Sequence, residues 1–511
     1  MNFSLFTELH ARSEPDALAL ADERVRLSRA ELDGWANRFA HWLNAMGHRP
    51  GSPVTLFLPN RAEVVIALLG AWKAGVVAVP LNWRLAGEEL RRIVGHTNAR
   101  SVVTTDAHAQ AFVEMGARDV LCVTAQAREG SFWTALRAYP DTYASFQAQS
   151  GDVANLLYTS GSTSTPKAAI HTHGMRASIG GAMADCFKLS RRDVALAISP
   201  MFHTGGLSVA CNALFAGCPL ITMEKWDVER FVETLAHERV SFVHIIATLV
   251  VDIVRAPAEI FAPLQGRPPL RFTWGGGHSV TSEMLRTYEE RLGGDFLLGY
   301  SRTEGGLTYQ PLGAARRFTD HGLPNRNSAD VAIFDWTTRA PCGVGEAGEI
   351  CVRGDGVSPG YWDGDYVRTQ RMTDGWQRTG DNGFFDADGH LHFLGRLDFM
   401  IKTGGENVYP EEVSRALLEI DGIRDAVVFG VPDARYGERV AALVVAQASG
   451  PALSANGIIE AARALLPGFK IPRLIQRVEE LPKLGNGKVD MVAARRILQE
   501  RVGGSECVDG V

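Results

Sequence analysis

The sequence predicts an α/β fold: a large N-terminal body of parallel and mixed sheets covered by helices, with a β-barrel-like subdomain, and a small α+β C-terminal lid domain. Three observations support this prediction. The chain has 511 residues, which is too long for one compact core. Strand-like and helix-like segments alternate in its first half, which is typical of a parallel sheet covered by helices. After Phe334 the pattern changes to short strands punctuated by glycine.

An early helix is marked at both ends. Ser28 and Glu31 form a capping-box pair at its start, and Gly47 ends it. Between them apolar side chains recur at helical spacing. The alternation that follows consists of a strand at 54–58, a helix at 62–72, a strand at 76–81, and further strands at 101–105, 194–198 and 240–246.

The last part of the chain is predicted to be a separate unit that begins after Arg396. Its pattern indicates a helix at 410–419, strands at 426–430 and 441–446, a helix at 456–466 and a strand at 473–478. We therefore expect an N-terminal domain of residues 1–397 and a C-terminal lid domain of residues 398–511. The tail from Gly503 is expected to be loose.

Composition excludes several classes of protein. A 46% hydrophobic and 22% charged chain is close to the average for folded globular proteins. The net charge of −6 provides no general basic field for nucleic acid or anionic lipid. The most apolar stretch, 64–72, is too short to span a bilayer, and the N-terminus lacks a secretory signal. Seven cysteines without a C-x-x-C pair indicate reduced thiols, so we expect a cytoplasmic protein.

The strongest chemical signal is the segment 158–167, Y-T-S-G-S-T-S-T-P-K. It places hydroxyl side chains, a glycine and Lys167 after a strand at 153–157, an arrangement that suits phosphate oxygens. A P-loop would require G-x-x-x-x-G-K-[ST], and this chain fails that pattern because Lys167 follows Pro166 and precedes Ala168. A plain Ser/Thr-rich surface loop is the alternative interpretation.

Two carboxylates extend this signal. Glu304, in G-Y-S-R-T-E (299–304), follows an apolar strand at 296–298, as a Mg²⁺–phosphate site would need. Asp381, in T-G-D (379–381), has two oxygens that suit the vicinal hydroxyls of a ribose. Each is weak alone, because an isolated glutamate is more often a salt-bridged surface residue. In combination with the hydroxyl-rich loop, they indicate a nucleotide site.

With these motifs the chain resembles the acyl- and aryl-CoA synthetases of the adenylate-forming superfamily, which are relatives of firefly luciferase and of peptide-synthetase adenylation domains. The resemblance runs from about Leu27 to Asp490. It rests on the motifs at 158–167, 200–203 (P-M-F-H), 299–304, 348–354, 379–395, 395–410 (G-R-L-D-F-M-I-K-T-G-G-E-N-V-Y-P) and 482–488 (P-K-L-G-N-G-K). The G-G-E-N-V-Y-P stretch favours CoA ligases over peptide-synthetase domains.

The resemblance implies a two-step reaction that uses ATP, Mg²⁺ and coenzyme A. A carboxylate attacks the α-phosphate of ATP, which gives an acyl-adenylate and pyrophosphate. The lid then rotates, and the CoA thiolate attacks the acyl-adenylate and releases AMP. Lys488 would bridge the carboxylate and the α-phosphate during the first step, where a cation offsets the charge that develops between two anions.

The other site residues also follow from the resemblance. Glu304 would ligate Mg²⁺, Asp381 would bind the ribose, Arg396 would contact ribose or phosphate, and Tyr300 would stack on adenine. The full set comprises catalytic Lys488, His203, Thr303, Glu304 and Arg396; nucleotide- and CoA-binding Thr159, Ser160, Gly161, Ser162, Thr163, Ser164, Lys167, Gly276, Gly277, Tyr300, Ser301, Asp381, Arg396, Gly404 and Gly405; acyl-binding His203, Gly205, Trp274 and Gly275; and the hinge residues Asp398 and Phe399.

The chain departs from the family pattern at four places. Ser164, Ala168 and Ser301 stand where the family usually has glycine, and a Cβ at a position with positive φ costs on the order of 1 kcal/mol. Phe399 stands at the hinge pivot, unless Asp398 takes that role one place early. These changes motivate an alternative in which adenylation is weakened or lost and the protein thioesterifies a preformed acyl-adenylate. Both lysines of the expected site remain, which argues against a complete loss.

The motifs identify the nucleotide, but they leave open which acid is activated and which acceptor takes the acyl group. One alternative is that the acyl group passes to a carrier protein instead of CoA. Another is a non-enzymatic nucleotide-binding protein, which is disfavoured because Lys488 and the G-G-E-N turn are present. Gly205, Gly206 and Gly275–Gly277 contribute no side-chain bulk and predict a roomy pocket, which apolar neighbours such as Trp274 would line. An aromatic, alicyclic or medium-to-long acyl carboxylate is therefore favoured over acetate. A homodimer is expected only by analogy with the family.

Overall fold

The protein is described by a computed structural model that covers residues 1–159, 167–268, 270–276, 280–313, 318–363, 367–368, 372, 374–433, 435–447, 454–483 and 489–502. Its helices are α1 (Leu5–Ser13), α2 (Arg29–Ala45), α3 (Ala62–Ala74), α4 (Gly87–Thr97), α5 (Asp106–Glu114), α6 (Gly130–Leu136), α7 (His173–Cys186), α8 (Thr204–Ala216), α9 (Val228–Glu238), α10 (Ala247–Arg255), α11 (Ser282–Leu292), α12 (Pro410–Leu418), α13 (Ala455–Ala462) and α14 (Met491–Val502), with 3₁₀ segments at Ala258–Leu264 and Leu397–Phe399.

The strands are β1 (Leu18–Ala21), β2 (Arg26–Ser28), β3 (Pro53–Phe57), β4 (Val77–Pro80), β5 (Ser101–Thr105), β6 (Asp119–Val123), β7 (Val153–Thr159), β8 (Lys167–Thr172), β9 (Ala195–Ala197), β10 (Leu220–Thr222), β11 (Phe242–Ile246), β12 (Phe272–Gly276), β13 (Asp295–Leu298), β14 (Thr308–Tyr309), β15 (Leu323–Pro324), β16 (Asp330–Phe334), β17 (Gly348–Arg353), β18 (Gly360–Trp362), β19 (Val367–Arg368), β20 (Gln377–Phe385), β21 (Leu391–Arg396), β22 (Ile401–Thr403), β23 (Glu406–Val408), β24 (Ile423–Asp433), β25 (Gly437–Ala446) and β26 (Leu474–Val478). Among the described helices, none is long and apolar enough to cross a membrane.

Two large sheets form the N-terminal body. One has seven strands in the order β13-β12-β11-β9-β10-β1-β2, all in parallel pairs except the β1–β2 hairpin. The other has eight strands in the order β19-β18-β8-β7-β4-β3-β5-β6, with a parallel half and an antiparallel half. The prediction of parallel and mixed sheets covered by helices is confirmed.

Helices α2 and α3 pack together over these sheets, and both were predicted from the sequence. The Ser28–Glu31 capping box is present at the start of α2. Every residue of α3 is buried, as its apolar composition requires. The one charged side chain near its end, Lys73, lies 2.8 Å from Asp33 and 2.9 Å from Glu8, because a buried ammonium group needs anionic partners.

The glycine-punctuated segment forms a smaller sheet, in which β16, β17, β20 and β21 are consecutive antiparallel neighbours. In the part of the chain that the structure describes, this sheet is open and not closed into a ring, which refines the barrel-like expectation. Its function in the fold is to bring two predicted site residues together. Asp381 in β20 and Arg396 in β21 are direct cross-strand partners.

Residues from Ile401 onward form their own five-stranded sheet, in which β22, β24 and β26 all pair with β25. Separate apolar clusters cover its two faces. The sequence predicted two short strands here, whereas β24 and β25 form one long hairpin that includes their polar ends. Helix α14 was not predicted.

The cysteines agree with the predicted absence of a disulfide framework. Six of them are described, and all six are free. Cys507 lies outside the described residues. Burial is the main cause that raises the pKa of several of these thiols, to about 11 for Cys186, so they behave as small apolar side chains.

Candidate active site

The parallel strands of the seven-stranded sheet end at one edge, and predicted site residues follow them there. Residues 200–203 come after β9, Gly276 ends β12, and residues 299–304 follow β13. Ligands of open α/β sheets bind outside the carboxyl ends of the strands. This edge is therefore the candidate active site.

Seven predicted site residues lie outside the described part of the chain: Ser160, Gly161, Ser162, Thr163, Ser164, Gly277 and Lys488. The strands on either side of the hydroxyl-rich loop are described. Thr159 ends β7, Lys167 begins β8, and the two residues are cross-strand partners. Thr159 and Lys167, the described residues on either side of this loop, are thus paired positions of an antiparallel hairpin.

His171 attaches this hairpin to the loop after β13. Its Nε2 lies 2.6 Å from the backbone oxygen of Thr303, and because a carbonyl oxygen only accepts, Nε2 is the donor. The ring is fully buried, and burial lowers the pKa of His171 well below its usual value. The neutral imidazole therefore holds Thr303 and its neighbour Glu304 beside the hairpin.

Asp381 is the centre of the nucleotide end of the site. Its Oδ2 accepts a hydrogen bond of 2.6 Å from the hydroxyl group of Tyr300, and its Oδ1 accepts one of 3.2 Å from the Arg396 guanidinium. Burial raises the pKa of Asp381, while Tyr300 and the nearby arginines oppose that rise. Each carboxylate oxygen has a second lone pair, so Asp381 is held in place and can still accept hydrogen bonds from a ligand.

Glu304 has a partner on each oxygen. The hydroxyl group of Tyr361 donates to Oε1, and the Arg302 guanidinium lies 3.4 Å from Oε2. Arg302 also lies 3.9 Å from Asp381, so it stands between the two predicted carboxylates. The backbone N–H of Ser358 donates to the backbone oxygen of Glu304 at 2.8 Å, which fixes the loop.

The donor set at Glu304 fits a Mg²⁺ ion that is shared with nucleotide phosphates. Among the described residues, no group of three or more His, Cys, Asp or Glu side chains is arranged to hold a metal ion. Mg²⁺ commonly binds through one or two carboxylates together with substrate phosphates. Glu304 supplies one such carboxylate, so the ion would depend on phosphate oxygens for the rest of its shell.

The predicted acyl end of the site contains two pairs of rings, Trp274 with His244 and Phe202 with His203. The Trp274 ring in β12 lies edge to face with the His244 ring, with centroids 4.7 Å apart. His244 Nδ1 lies 3.0 Å from the Ser199 hydroxyl oxygen, and burial lowers the pKa of His244 to about 4. His203 is the N-cap residue of α8 and contacts the Phe202 ring.

The prediction of a roomy pocket from glycines is wrong for three of them. A Cβ on Gly205 would overlap the His244 imidazole, and one on Gly206 would overlap the backbone of Ser199 and the next residue. A Cβ on Gly275 would overlap the backbone oxygen of Ile245. These three glycines therefore permit close packing against His244, Ser199 and Ile245 and do not line open space in the direction of their missing Cβ atoms.

Two of the predicted departures from the family carry no backbone strain. Positive φ angles of described non-glycine residues occur at five positions, and neither Ala168 nor Ser301 is among them. Ala168 is a buried residue of β8 and pairs with Tyr158. A backbone outside the positive-φ region accepts a Cβ without that penalty, so the expected cost at Ala168 and Ser301 is wrong; Ser164 lies outside the described residues.

The hinge predicted after Arg396 contains a short 3₁₀ turn, Leu397–Phe399. Asp398 is largely exposed and accepts a hydrogen bond of 3.1 Å from Arg396. The Phe399 side chain is also exposed. Of the two pivot candidates, Asp398 is the one with a polar contact.

Gly404 and Gly405 connect β22 to β23. Their φ angles are +60° and +89°, a region that favours glycine. The Gly404 N–H donates to the Tyr436 backbone oxygen at 2.9 Å, and the exposed Tyr436 ring lies over Gly404. The turn itself carries no side chains; the Tyr436 ring covers its Gly404 side, whereas a Cβ on Gly405 would meet open space.

Comparison with protein families agrees with this geometry. A model of the family described as AMP-binding enzyme matches residues 7–362, and a model of the AMP-binding enzyme C-terminal domain matches residues 412–488. The first match covers more than half of the chain. The chain belongs to the AMP-binding enzyme family.

Two relatives and one solved structure match this chain over almost its whole length. A feruloyl-CoA synthase of an Amycolatopsis species is 33% identical over 491 residues, which is 95% of this chain and 97% of that protein. The long-chain-fatty-acid–CoA ligase FadD13 of Mycobacterium tuberculosis is 30% identical and covers 91% of this chain and 92% of its own length. The crystal structure of ATP-bound MatB from Rhodopseudomonas palustris has a TM-score of 0.89 at 27% identity, with 98% of this chain and 99% of that chain covered.

Membership of the AMP-binding enzyme family settles the class of reaction. The chain is an AMP-forming acid–thiol ligase that works through an acyl-adenylate, as the resemblance predicted. The alternatives of a lost first step and of a carrier-protein acceptor are not favoured. Four polar residues of the site were not predicted from the sequence. Arg302 stood inside the motif 299–304 as an unexplained charge, whereas His171, His244 and Tyr361 gave no local signal.

Proposed function

We propose that this enzyme activates an aromatic carboxylic acid with ATP and transfers the acyl group to coenzyme A. The observation that supports this substrate class is the pair of rings at the acyl end, Trp274 and His244, whose centroids lie 4.7 Å apart. A flat ring packs well against such side chains. The space beside Gly205 and Gly275 is already filled, which disfavours thick alicyclic acids. Feruloyl-CoA synthase, a relative, takes its name from an aromatic acid.

The nucleotide contacts follow from the cluster around Asp381. We assign the ribose hydroxyls to Asp381, which Tyr300 and Arg396 hold in place. The Tyr300 ring would lie against the adenine, and its hydroxyl group would remain bound to the carboxylate. Glu304 and the Thr303 segment would hold Mg²⁺, which when bound neutralises phosphate charge.

The first chemical step depends on placing two anions in contact. The carboxylate of the acid and the α-phosphate of ATP repel each other, and a buried cation between them lowers that barrier. We assign this cation to Lys488, on the basis of its motif. Lys167 and the hydroxyl-rich segment 159–164 would bind the outgoing pyrophosphate; Thr159 and Lys167 are paired in the hairpin that His171 attaches to Thr303, which supports this assignment.

In the second step, the pantetheine arm of CoA must reach the acyl-adenylate through a narrow passage. Gly404 and Gly405 form a turn without side chains, which suits passage of pantetheine once the C-terminal unit has rotated. We place the domain boundary at residues 397/398, within the 3₁₀ turn Leu397–Phe399 that follows β21, and we assign the pivot to Asp398. The expected setting is the cytoplasm, and a homodimer remains a family-level expectation.

The test is a panel of acids assayed for both steps. Ferulate, cinnamate, phenylacetate, cyclohexanecarboxylate, decanoate and acetate are each incubated with ATP, Mg²⁺ and either CoA or a holo-carrier protein. ATP–pyrophosphate exchange measures the first step, and mass spectrometry of the thioester measures the second. We expect the aromatic acids to have kcat/KM values at least about tenfold above those of decanoate and cyclohexanecarboxylate, with CoA as the acceptor.

Two results would overturn parts of the proposal. Preference for decanoate would reject the aromatic class while leaving the ligase intact. Absence of pyrophosphate exchange, together with turnover of a synthetic acyl-adenylate, would reinstate the one-step alternative. A Lys488→Ala variant serves as the control, because it should lose exchange and keep thioester formation from the synthetic acyl-adenylate.

A further inference from the structure

We propose that Arg302 is an internal counter-ion for Glu304, which keeps divalent metal off this carboxylate until nucleotide phosphates arrive. The enzyme would then take up Mg²⁺ together with ATP and not before it. This inference rests on the metal-binding role proposed for Glu304. It assigns Arg302 a positioning function in the order of ligand binding.

The contacts of Arg302 are those of an enclosed cation. Its side chain is 12% exposed and reaches Glu304 at 3.4 Å and Asp381 at 3.9 Å. Both carboxylates are themselves nearly enclosed, with side-chain exposures of 13% and 6%. In such surroundings charges interact more strongly than at a surface, so the position of this guanidinium strongly affects what else Glu304 can bind.

The charge balance of the cluster explains why metal would not bind first. Arg302 and Arg396 lie beside Glu304 and Asp381, and Arg396 is also paired with the exposed Asp398. At Glu304, the positive charge of Arg302 lowers the attraction of the carboxylate for a divalent cation, and Glu304 already has a partner on each oxygen. Neutralising Arg302 would make the local charge more negative by one and free Glu304 Oε2.

ATP changes this balance because it brings its own negative charge. Phosphate oxygens offer guanidinium the same planar hydrogen-bonding geometry as a carboxylate. The Arg302 Nη1 nitrogen is buried and has no hydrogen-bond partner among the described residues, so the side chain has unused donors. A shift of Arg302 toward phosphate would release Glu304 for an ion that the phosphates carry.

The test counts bound metal directly, with Mn²⁺ as the probe and electron paramagnetic resonance as the readout. Nucleotide-free wild-type protein, R302Q and R302K are titrated with Mn²⁺ alone and then with Mn²⁺ in the presence of a non-hydrolysable ATP analogue. Glutamine keeps a hydrogen-bond donor without the charge, whereas lysine keeps the charge. Neither acid nor CoA is present, so the outcome does not depend on the substrate proposed above.

We expect nucleotide-free wild type and R302K to bind Mn²⁺ at least about tenfold more weakly than R302Q, since one positive charge beside a carboxylate has that order of effect. Adding E304Q to R302Q should abolish the new site. Equal Mn²⁺ affinity of nucleotide-free R302Q and wild type would overturn the proposal, as would a new site that survives E304Q. If R302Q does not fold, the titration of the wild type decides. Tight binding of one Mn²⁺ in the absence of nucleotide rejects the proposal, whereas Mn²⁺ binding only in the presence of the ATP analogue supports it.

Discussion

Glu411 offers a quantitative test of how the C-terminal unit contacts the nucleotide site. It lies in the first turn of α12, and its carboxyl group packs directly against Gly395 in β21. Its Oε2 atom has no hydrogen-bond partner among the described residues. Burial is the main cause that raises the pKa of Glu411 from 4.5 to about 7, and the nearby Asp381 adds to the rise.

The sign of the pH effect follows from this direction. A carboxyl group whose pKa is higher in the folded protein holds its proton longer than in the unfolded chain. Stability is therefore greatest at acidic pH, falls as the pH rises from about 4.5 to about 7, and stays at the lower level above that. At about 1.4 kcal/mol for each unit of pKa, the loss amounts to at most about 3 kcal/mol.

The perturbation is Glu411→Gln, which keeps the shape and one acceptor oxygen but removes the titration. Thermal midpoints of wild type and variant are compared between pH 5.0 and 8.5. The two proteins should coincide near pH 5, and the variant should be more stable above pH 7.5, by up to about 3 kcal/mol. Glu419→Gln, at an exposed position at the end of the same helix, is the control and should show no pH-dependent difference.

A difference in stability between Glu411→Gln and wild type that does not change between pH 5 and pH 8 would refute this reasoning. It would mean that the carboxyl group is solvated in the folded state, and that the contact with Gly395 does not exclude water.

Three further predictions concern the site itself. Gly205→Ala should destabilise the protein by about 1–3 kcal/mol and impair activity, because the new Cβ would overlap His244. Gly181→Ala is the control: its Cβ would meet only an ordinary contact at 3.5 Å, so the thermal midpoint should stay within a few degrees of wild type. Asp381→Asn should raise the KM for ATP by about 10- to 100-fold, since a charged acceptor is worth about 1.5–3 kcal/mol, and an unchanged KM would exclude the ribose role. His244→Gln should lower kcat/KM for the acid yet keep the shape of the pH–rate profile between pH 5.5 and 8, because the pKa of His244 is about 4; a lost inflection in that range would contradict it.

The sequence was sufficient to predict a structural feature wherever that feature depends only on residues close by in the chain. The capping box at Ser28 and the strand before the hydroxyl-rich segment 158–167 are local features, and the structure has both where the pattern predicted. Asp381 was recognised within a three-residue motif, although only the fold shows that Arg396 faces it across two strands.

The errors concern partners that are distant in sequence. Gly205 looked like free volume because His244, which fills that space, lies far along the chain on another strand. Ala168 looked strained because a loop was expected, whereas pairing with Tyr158 makes it an ordinary strand residue. Tyr361 gave no signal at all, since its contact with Glu304 is created by the pairing of one strand with another.

That strand has a further consequence for cooperativity. Tyr361 in β18 pairs with Ala169 in β8, the strand that Lys167 begins, and its hydroxyl group reaches Glu304. Any ligand that shifts the hairpin will therefore displace the hydrogen bond to Glu304, the carboxylate proposed to hold Mg²⁺. Under the proposed assignments, phosphate binding and metal binding would be energetically linked through one strand, and removing the Tyr361 hydroxyl group should make them independent.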